Sequence, residues 1–390
     1  LKADFYQLEI IPSLAQVDAG QWNALLSPDS TPFLKYEFLN ALEEAGCVGG
    51  ETGWQVAHLI VKDSSSVIVG AMPMYLKQHS YGEFVFDWAW AEAYQQHGLN
   101  YYPKCLSAIP FTPVQGSRLL VKDNHDKNSI QEVLLNSLKE IAIQNELSSI
   151  HVLFPMANEL KALVEHEFML RDSVQFHWQN QGYENFEHFL SALNMKRRKN
   201  IRRERSEVLS YGITFSHIPG QESSDADWEF FYRCYANTYI EHGSQPYLNP
   251  ELFKLLVQKM PENLHLIIAS KDGSPIASAL LIVDKENANA YGRYWGSIEY
   301  IPCLHFELSY YQAIEYCIRE GIQTLEGGAQ GEHKMARGFL PKTIQSAHWL
   351  ADEQFSNAVK LYLKREQAGM AAYVDELAEH TPLKSTKVLP

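Results

Sequence analysis

One order of elements occurs twice along this chain. Asp18-Ala19-Gly20-Gln21-Trp22 opens one helical stretch and Asp225-Ala226-Asp227-Trp228 opens another, with Trp22 and Trp228 206 positions apart. A second helical stretch follows each, at 37–45 and 250–260. Then comes a hairpin pattern. In the first half, 54–61 and 67–76 flank the turn Lys62-Asp63-Ser64-Ser65-Ser66; in the second, 264–269 and 276–283 flank Lys271-Asp272-Gly273. Lys62 and Lys271 are 209 positions apart, so the offset is nearly constant. Helix, helix, hairpin at a fixed spacing reads as two copies of one α/β domain. A chain of 390 residues also exceeds one ordinary core. The expected divisions are 1–180, a basic connecting helix at 181–212, a second copy at 213–350, and a docking helix with tail at 351–390.

The chemistry-bearing residues concentrate at 289–341. Tyr291 to Trp295 is strand-like. Phe306, Tyr310, Ala313, Ile314, Cys317 and Ile318 fall on one helical stripe, and Gly321 is placed to end that helix. After a short apolar strand, Glu326-Gly327-Gly328-Ala329-Gln330-Gly331 breaks the chain before Glu332-His333-Lys334. Backbone amides beside Gly327, Gly328 and Gln330 can approach an anion or carbonyl closely. Glu326 ends a buried strand, where a carboxylate is either paired (to Arg293 or Lys334) or functional. His333 and His305 are the further acid–base candidates, each with a structural hydrogen-bonding role as the alternative. Arg293, beside Tyr294, is placed to clamp a carboxylate or phosphate, and Lys334 and Arg337 share one helical face for the same task.

A third feature is local charge. Residues 186–211 lack proline and glycine and predict one continuous helix, and 196–205 hold seven basic residues in ten. The whole chain carries a net charge of -14. Such a patch is either an anion site, with Lys196, Arg197, Arg198 and Arg202 as ligands, or a solvated helix with acidic partners. The overall charge excludes general DNA binding or attraction to anionic membranes. No apolar run spans a bilayer. Five scattered cysteines without a CxxC fit reduced thiols, and the expected location is cytoplasmic. Residues 81–118, aromatic and proline-rich, predict irregular pocket walls, with Arg118 a weaker clamp candidate. There is no GxSxG, HExxH, GxxxxGK[ST] or metal-ligand spacing.

Several long blocks carry a resemblance: 79–94 (HSYGEFVFDWAWAEAY), 101–121, 196–205 (KRRKNIRRER), 291–297 (YGRYWGS), 304–316 and 326–341 (EGGAQGEHKMARGFLP). Over nearly its whole length the chain resembles a bacterial family with a GNAT-type acyltransferase fold, described as peptidoglycan biosynthesis or recognition proteins. It is more distantly similar to the FemABX aminoacyltransferases, which transfer amino acids from aminoacyl-tRNA to peptidoglycan precursors. The resemblance implies tandem GNAT-like domains, each a mixed, mainly antiparallel sheet flanked by helices. It implies N-acyl or aminoacyl transfer to an amine acceptor such as a cell-wall precursor. Acyl-CoA or aminoacyl-tRNA would be the co-substrate, with no tightly bound cofactor. Two departures stand out: Glu326 sits directly before the glycines instead of an Asp-aromatic-Gly-Gly order, and the basic helix is short. The usual GNAT pyrophosphate loop (Gln/Arg-x-x-Gly-x-Gly/Ala) has no clear counterpart. The alternative is a non-catalytic module that recognises a phosphorylated or cell-wall-type ligand through the basic helix.

Overall fold

The computed structural model describes residues 6–328 and 331–384, which form two compact units. Unit one takes the chain up to Ser173 together with 344–371, and unit two takes 174–343 with the described residues from Ala372 on. The basic segment 181–212 therefore lies inside unit two.

Unit one begins with β1 (Gln7–Ile11), α1 (Ala19–Asn23) and α2 (Tyr36–Glu44). Asp18 caps α1 by accepting the Gln21 N–H at 3.0 Å, and Trp22 is buried one turn in. The predicted hairpin follows, with both arms divided. The first arm is β2 (Trp54–Val56) and β3 (His58–Lys62); the second is β4 (Ile68–Met72) and β5 (Tyr75–Lys77). β3 pairs with β4 in one sheet, and β2 with β5 in another. The arms change sheet at Ala57 and Pro73, and proline has no N–H for a ladder. Residues 81–118 depart from the irregular walls expected of them. They contain α3 (Trp88–Gln96) and β6 (Lys104–Ser107), because Trp90 and Tyr94 form an apolar stripe and Lys104 has buried partners. The unit continues with β7 (Leu120–Val121), α4 (Lys127–Gln144), β8 (Ser149–Leu153) and α5 (Leu160–Glu165). One sheet runs β1-β3-β4-β7. The other runs β2-β5-β6-β8 and is closed by residues 346–350, antiparallel to β8.

Unit two takes 174–179 of β9 (Met169–Gln179), then α6 (Phe186–Ala192) and α7 (Met195–Ser210). The single helix expected over 186–211 is thus two. Leu193 and Asn194 are extended, and the Asn194 side chain caps α7 by accepting the Arg197 N–H at 3.0 Å. The second copy of the repeat follows: β10 (Ile213–Pro219), α8 (Asp225–Glu241), α9 (Pro250–Lys259), β11 (Leu264–Lys271), β12 (Ser274–Asp284) and β13 (Asn289–Ser297). Ser224 and Asp227 form a reciprocal capping box at the start of α8. Asp272 and Gly273 take the left-handed conformation a two-residue hairpin turn needs. A Cβ on Gly296 would stand 1.9 Å from the Cys234 carbonyl, so glycine there lets α8 lie directly on β13. The next helix is interrupted: α10 (Leu304–Phe306), a π turn (Glu307–Tyr311) and α11 (Gln312–Arg319). Then come β14 (Thr324–Glu326), a 3-10 turn (Glu332–Arg337), β15 (Leu340–Leu350) and α12 (Glu353–Glu379). The sheet order is β10-β11-β12-β13-β14-β9, antiparallel throughout except for the parallel β13–β14 pair. Each unit's sheet therefore ends on a strand drawn from the opposite half of the sequence.

Among the described residues no helix is long and apolar enough to cross a membrane. The cysteines are all free thiols.

Candidate active site

The parallel pairing of β13 with β14 is short. It runs from Asn289↔Thr324 to Tyr291↔Glu326 and stops. β13 continues for six more residues against β12 alone. In that stretch the β12–β13 register shifts, with Leu280 opposite Tyr294 and Leu281 opposite Gly292. Arg293 is the extra residue of this bulge, and a bulge bends its strand and re-aims side chains. Where β13 and β14 part, a pocket with about 460 Å³ of empty space opens, part of it continuous with solvent. Gly292, Arg293, Tyr294 and Trp295 line one wall, Leu325, Glu326 and Gly327 the opposite one, and His305, Ser309 and Tyr310 also border it.

Glu326 lines this pocket from the end of β14. Its side chain is 13% exposed, and among the described residues its Oε2 finds no hydrogen-bond donor. Burial pushes its pKa up to about 7, with Lys342 and Arg293 only partly offsetting the desolvation. Directly across the β14–β9 ladder stands His177, with its Nε2 3.9 Å from Glu326 Oε2. Burial holds the His177 pKa down at about 3, so the imidazole is neutral and the contact is not an ion pair. Ser309, on the π turn, presents a second buried oxygen without a partner. π turns place side chains that regular helical spacing would not. His305 stacks on Trp295 at 4.4 Å, and burial lowers its pKa to about 4.

The structure thus brings together Glu326, His305, Arg293, Tyr294 and Gly327. It places the other candidates elsewhere. His333 is exposed on the 3-10 turn, its Nε2 3.0 Å from the Tyr310 hydroxyl, and does not line the pocket. Arg337 is buried, stacked 3.4 Å over the Phe306 ring. It donates to the Glu204 carboxylate at 3.0 and 3.1 Å and to the His333 carbonyl at 2.7 Å, so its role is to fasten this turn to α7. Lys334 donates to the Gly328 carbonyl at 3.1 Å and steadies the glycine turn. Gly328 has φ +84°, a conformation that favours glycine. Gln330 lies outside the described residues. On α7, Arg202 is taken up by Glu187 at 2.5 Å and Arg205 by Glu307 and Glu315. Among the described residues no carboxylate lies within ion-pair reach of Lys196, Arg197, Arg198, Lys199 or Arg203, so five of the seven cations have no acidic partner and two have one. Arg118 is fully buried in unit one, its guanidinium donating to the carbonyls of Val114, Gly116 and Leu153 at 2.9 Å, and is structural.

Sequence reading missed His177 and Ser309. The signal for His177 is the alternation of Gln175, His177 and Gln179 along β9, but which strand they would face is set by a partner almost 150 residues away.

The comparisons agree with this architecture. A C-terminal domain assigned to a lysylphosphatidylglycerol synthetase of Agrobacterium fabrum superposes with a TM-score of 0.54, 10% identity, and coverage of 90% of this chain and 97% of that one. The L-PGS structure from Bacillus licheniformis gives 0.52 at 8% identity, covering 86% and 94%. A tandem GNAT protein from the clavulanic acid biosynthesis pathway gives 0.50 at 10% identity, covering 89% and 99%. At such identities the likeness concerns the fold, which is tandem and GNAT-like. No curated protein matches the chain. The FemAB-like family model, described as peptidoglycan biosynthesis/recognition, matches residues 13–385, and the chain belongs to that family.

Proposed function

We propose that unit two is an N-acyltransferase whose acceptor is an amine, as in a cell-wall precursor. The observation that carries this reading is Glu326: a recessed carboxylate with an unbonded oxygen and a pKa near 7, at the floor of a pocket between two diverging strands. A base with that pKa is matched to deprotonating an amine near neutral pH. The acyl carbonyl would lie in the gap with its oxygen toward the Ser309 hydroxyl. The amine attacks the carbonyl carbon, Glu326 takes the amine proton, and the tetrahedral oxyanion is held by fixed donors. Collapse forms the amide and expels the donor's thiol or ribose hydroxyl, which recovers the proton. Acyl-CoA and aminoacyl-tRNA remain the two donor classes. The family membership and the tandem GNAT-like fold support the reaction class.

A second reading has its own observation. The five α7 cations with no acidic partner among the described residues include Lys196, Arg197 and Arg198 in its first turn, where the helix dipole favours acids. Folding does not explain that placement, and an anionic group on the ligand would. In this reading the chain recognises a phosphorylated ligand without turning it over.

A donor and acceptor panel separates the two. Glu326→Gln should abolish amide formation while ligand-induced thermal shifts persist. If wild-type protein shifts with a phosphorylated ligand but forms no product with any donor, the acyltransferase reading falls.

A further inference from the structure

In unit one, residues 83–88 are patterned inside out. Glu83, Val85 and Asp87 are buried, whereas Phe84, Phe86 and Trp88 are 38%, 56% and 42% exposed. Tyr81 just before them is 55% exposed, and its ring packs on Trp88 at 5.1 Å. Ordinary folding puts aromatics in and carboxylates out, because burying a charge without a partner is costly. Here the inversion is held by a dedicated anchor. The buried Lys104 ammonium donates to Ser80 Oγ and Glu83 Oε2, both at 2.8 Å, and to the Asp87 carboxylate, which uses all three of its donors. Tyr101 OH adds a bond to Asp87 at 2.6 Å, and Lys77 binds the Tyr81 carbonyl at 3.2 Å. Phe84 itself sits at φ +62°, a region that side chains bearing a Cβ avoid. The chain therefore fixes an aromatic-tipped loop rigidly outward.

We infer that this loop docks the protein on a lipid bilayer, with Tyr81, Phe84, Phe86 and Trp88 entering the boundary between headgroups and acyl chains. Three observations favour a bilayer over other occupants. Tyr and Trp mixed with Phe is the composition that interfacial sites use. The four rings are exposed and none lines the Glu326 pocket, so the loop presents a tip to a surface and not a cradle to a small ligand. The loop's two carboxylates are buried against two ammoniums, Lys104 beside both and Lys77 3.9 Å from Glu83, so immersion leaves no unbalanced loop charge in lipid. On a chain of net charge -14 the attachment is apolar, not electrostatic.

The full chain can be tested by co-sedimentation with vesicles of phosphatidylcholine, alone or mixed with phosphatidylglycerol. Binding should occur to both and persist at high salt. Phe84→Ser with Phe86→Ser should weaken it roughly tenfold or more with the melting temperature unchanged, since both rings are exposed. Of the eight tryptophans only Trp88 is strongly exposed, so acyl-brominated lipid should quench emission in the wild type and not in Trp88→Phe. Three outcomes overturn the proposal: no binding to either vesicle, binding only to anionic vesicles and lost with salt, or loop-dependent self-association without lipid.

Discussion

The two units treat the same topological gap in opposite ways. In unit two β13 and β14 run parallel for three residue pairs and then part around a pocket. In unit one β6 and β8 also run parallel for three pairs, from Cys105↔Ile150 to Ser107↔Val152. Beyond them the space is filled by the chain itself. Gly116 donates to the Phe154 carbonyl at 3.0 Å, the Gln115 side chain to Pro155 at 3.1 Å, and the buried Arg118 to Leu153 at 2.9 Å. Each gap has a neighbouring carboxylate. Glu159, fully buried, accepts from the N–H groups of Arg118, Leu119 and Met156 and from the Ser117 hydroxyl. Among the described residues Glu326 keeps an oxygen with no donor. Glu159 is saturated with donors by its own fold, whereas Glu326 keeps an unsatisfied oxygen at a pocket, which is what the proposed role needs.

The largest effect should come from Glu326→Gln, which removes the proposed base and keeps the shape. Turnover should fall by about 10²–10⁴-fold in a steady-state assay, with ligand binding retained. A loss under tenfold would break the contrast. Next in size is Glu159→Gln, which should leave unit two's chemistry intact but destabilise the fold by ~3 kcal/mol, because several buried donors lose their charged acceptor. Denaturant midpoints would read this, and no change in midpoint would make the two carboxylates equivalent.

Glu326→Gln has a second expected consequence of opposite sign. The folded-state pKa of about 7 is above the ordinary value of 4.5, so the folded protein binds this proton more tightly than the unfolded chain. Stability is therefore given up as pH rises from about 4.5 to 7, and ionised Glu326 is a burden above that window. At pH 8 the Gln variant should melt a few degrees higher than wild type, and the difference should vanish near pH 4. In the same protein kcat/KM should rise through a limb near pH 7 as Glu326 deprotonates, and this limb should be missing in the variant. The smallest effect is Ser309→Ala, expected to lower kcat about tenfold with KM little changed, since its hydroxyl would act mainly on the oxyanion.

Much of this was legible in the residues. The duplicated helix–helix–hairpin order showed because each element depends on short-range spacing, on caps at Asp18 and Ser224, and on Asp272-Gly273. Glu326 was legible as an acid ending an apolar strand beside glycines. The partners of His333 and Arg337 were not legible, because a polar cluster in sequence says nothing about which members turn away from the pocket. Arg337 was claimed by Glu204, and His333 by Tyr310.

What the sequence by itself determined is everything that one stretch of chain can specify: the periods, caps and turns of each copy, and a carboxylate in a place where it had to be explained. Tertiary structure alone decided which gap is open and which is filled, since that depends on whether the 108–118 segment folds back on β8. It also decided that 346–350 closes unit one and β9 closes unit two, which sets His177 opposite Glu326. The strand closures rest on pairings between residues more than 140 positions apart and the filled gap on contacts 35 to 40 apart, and local physical chemistry carries no record of a partner at either distance.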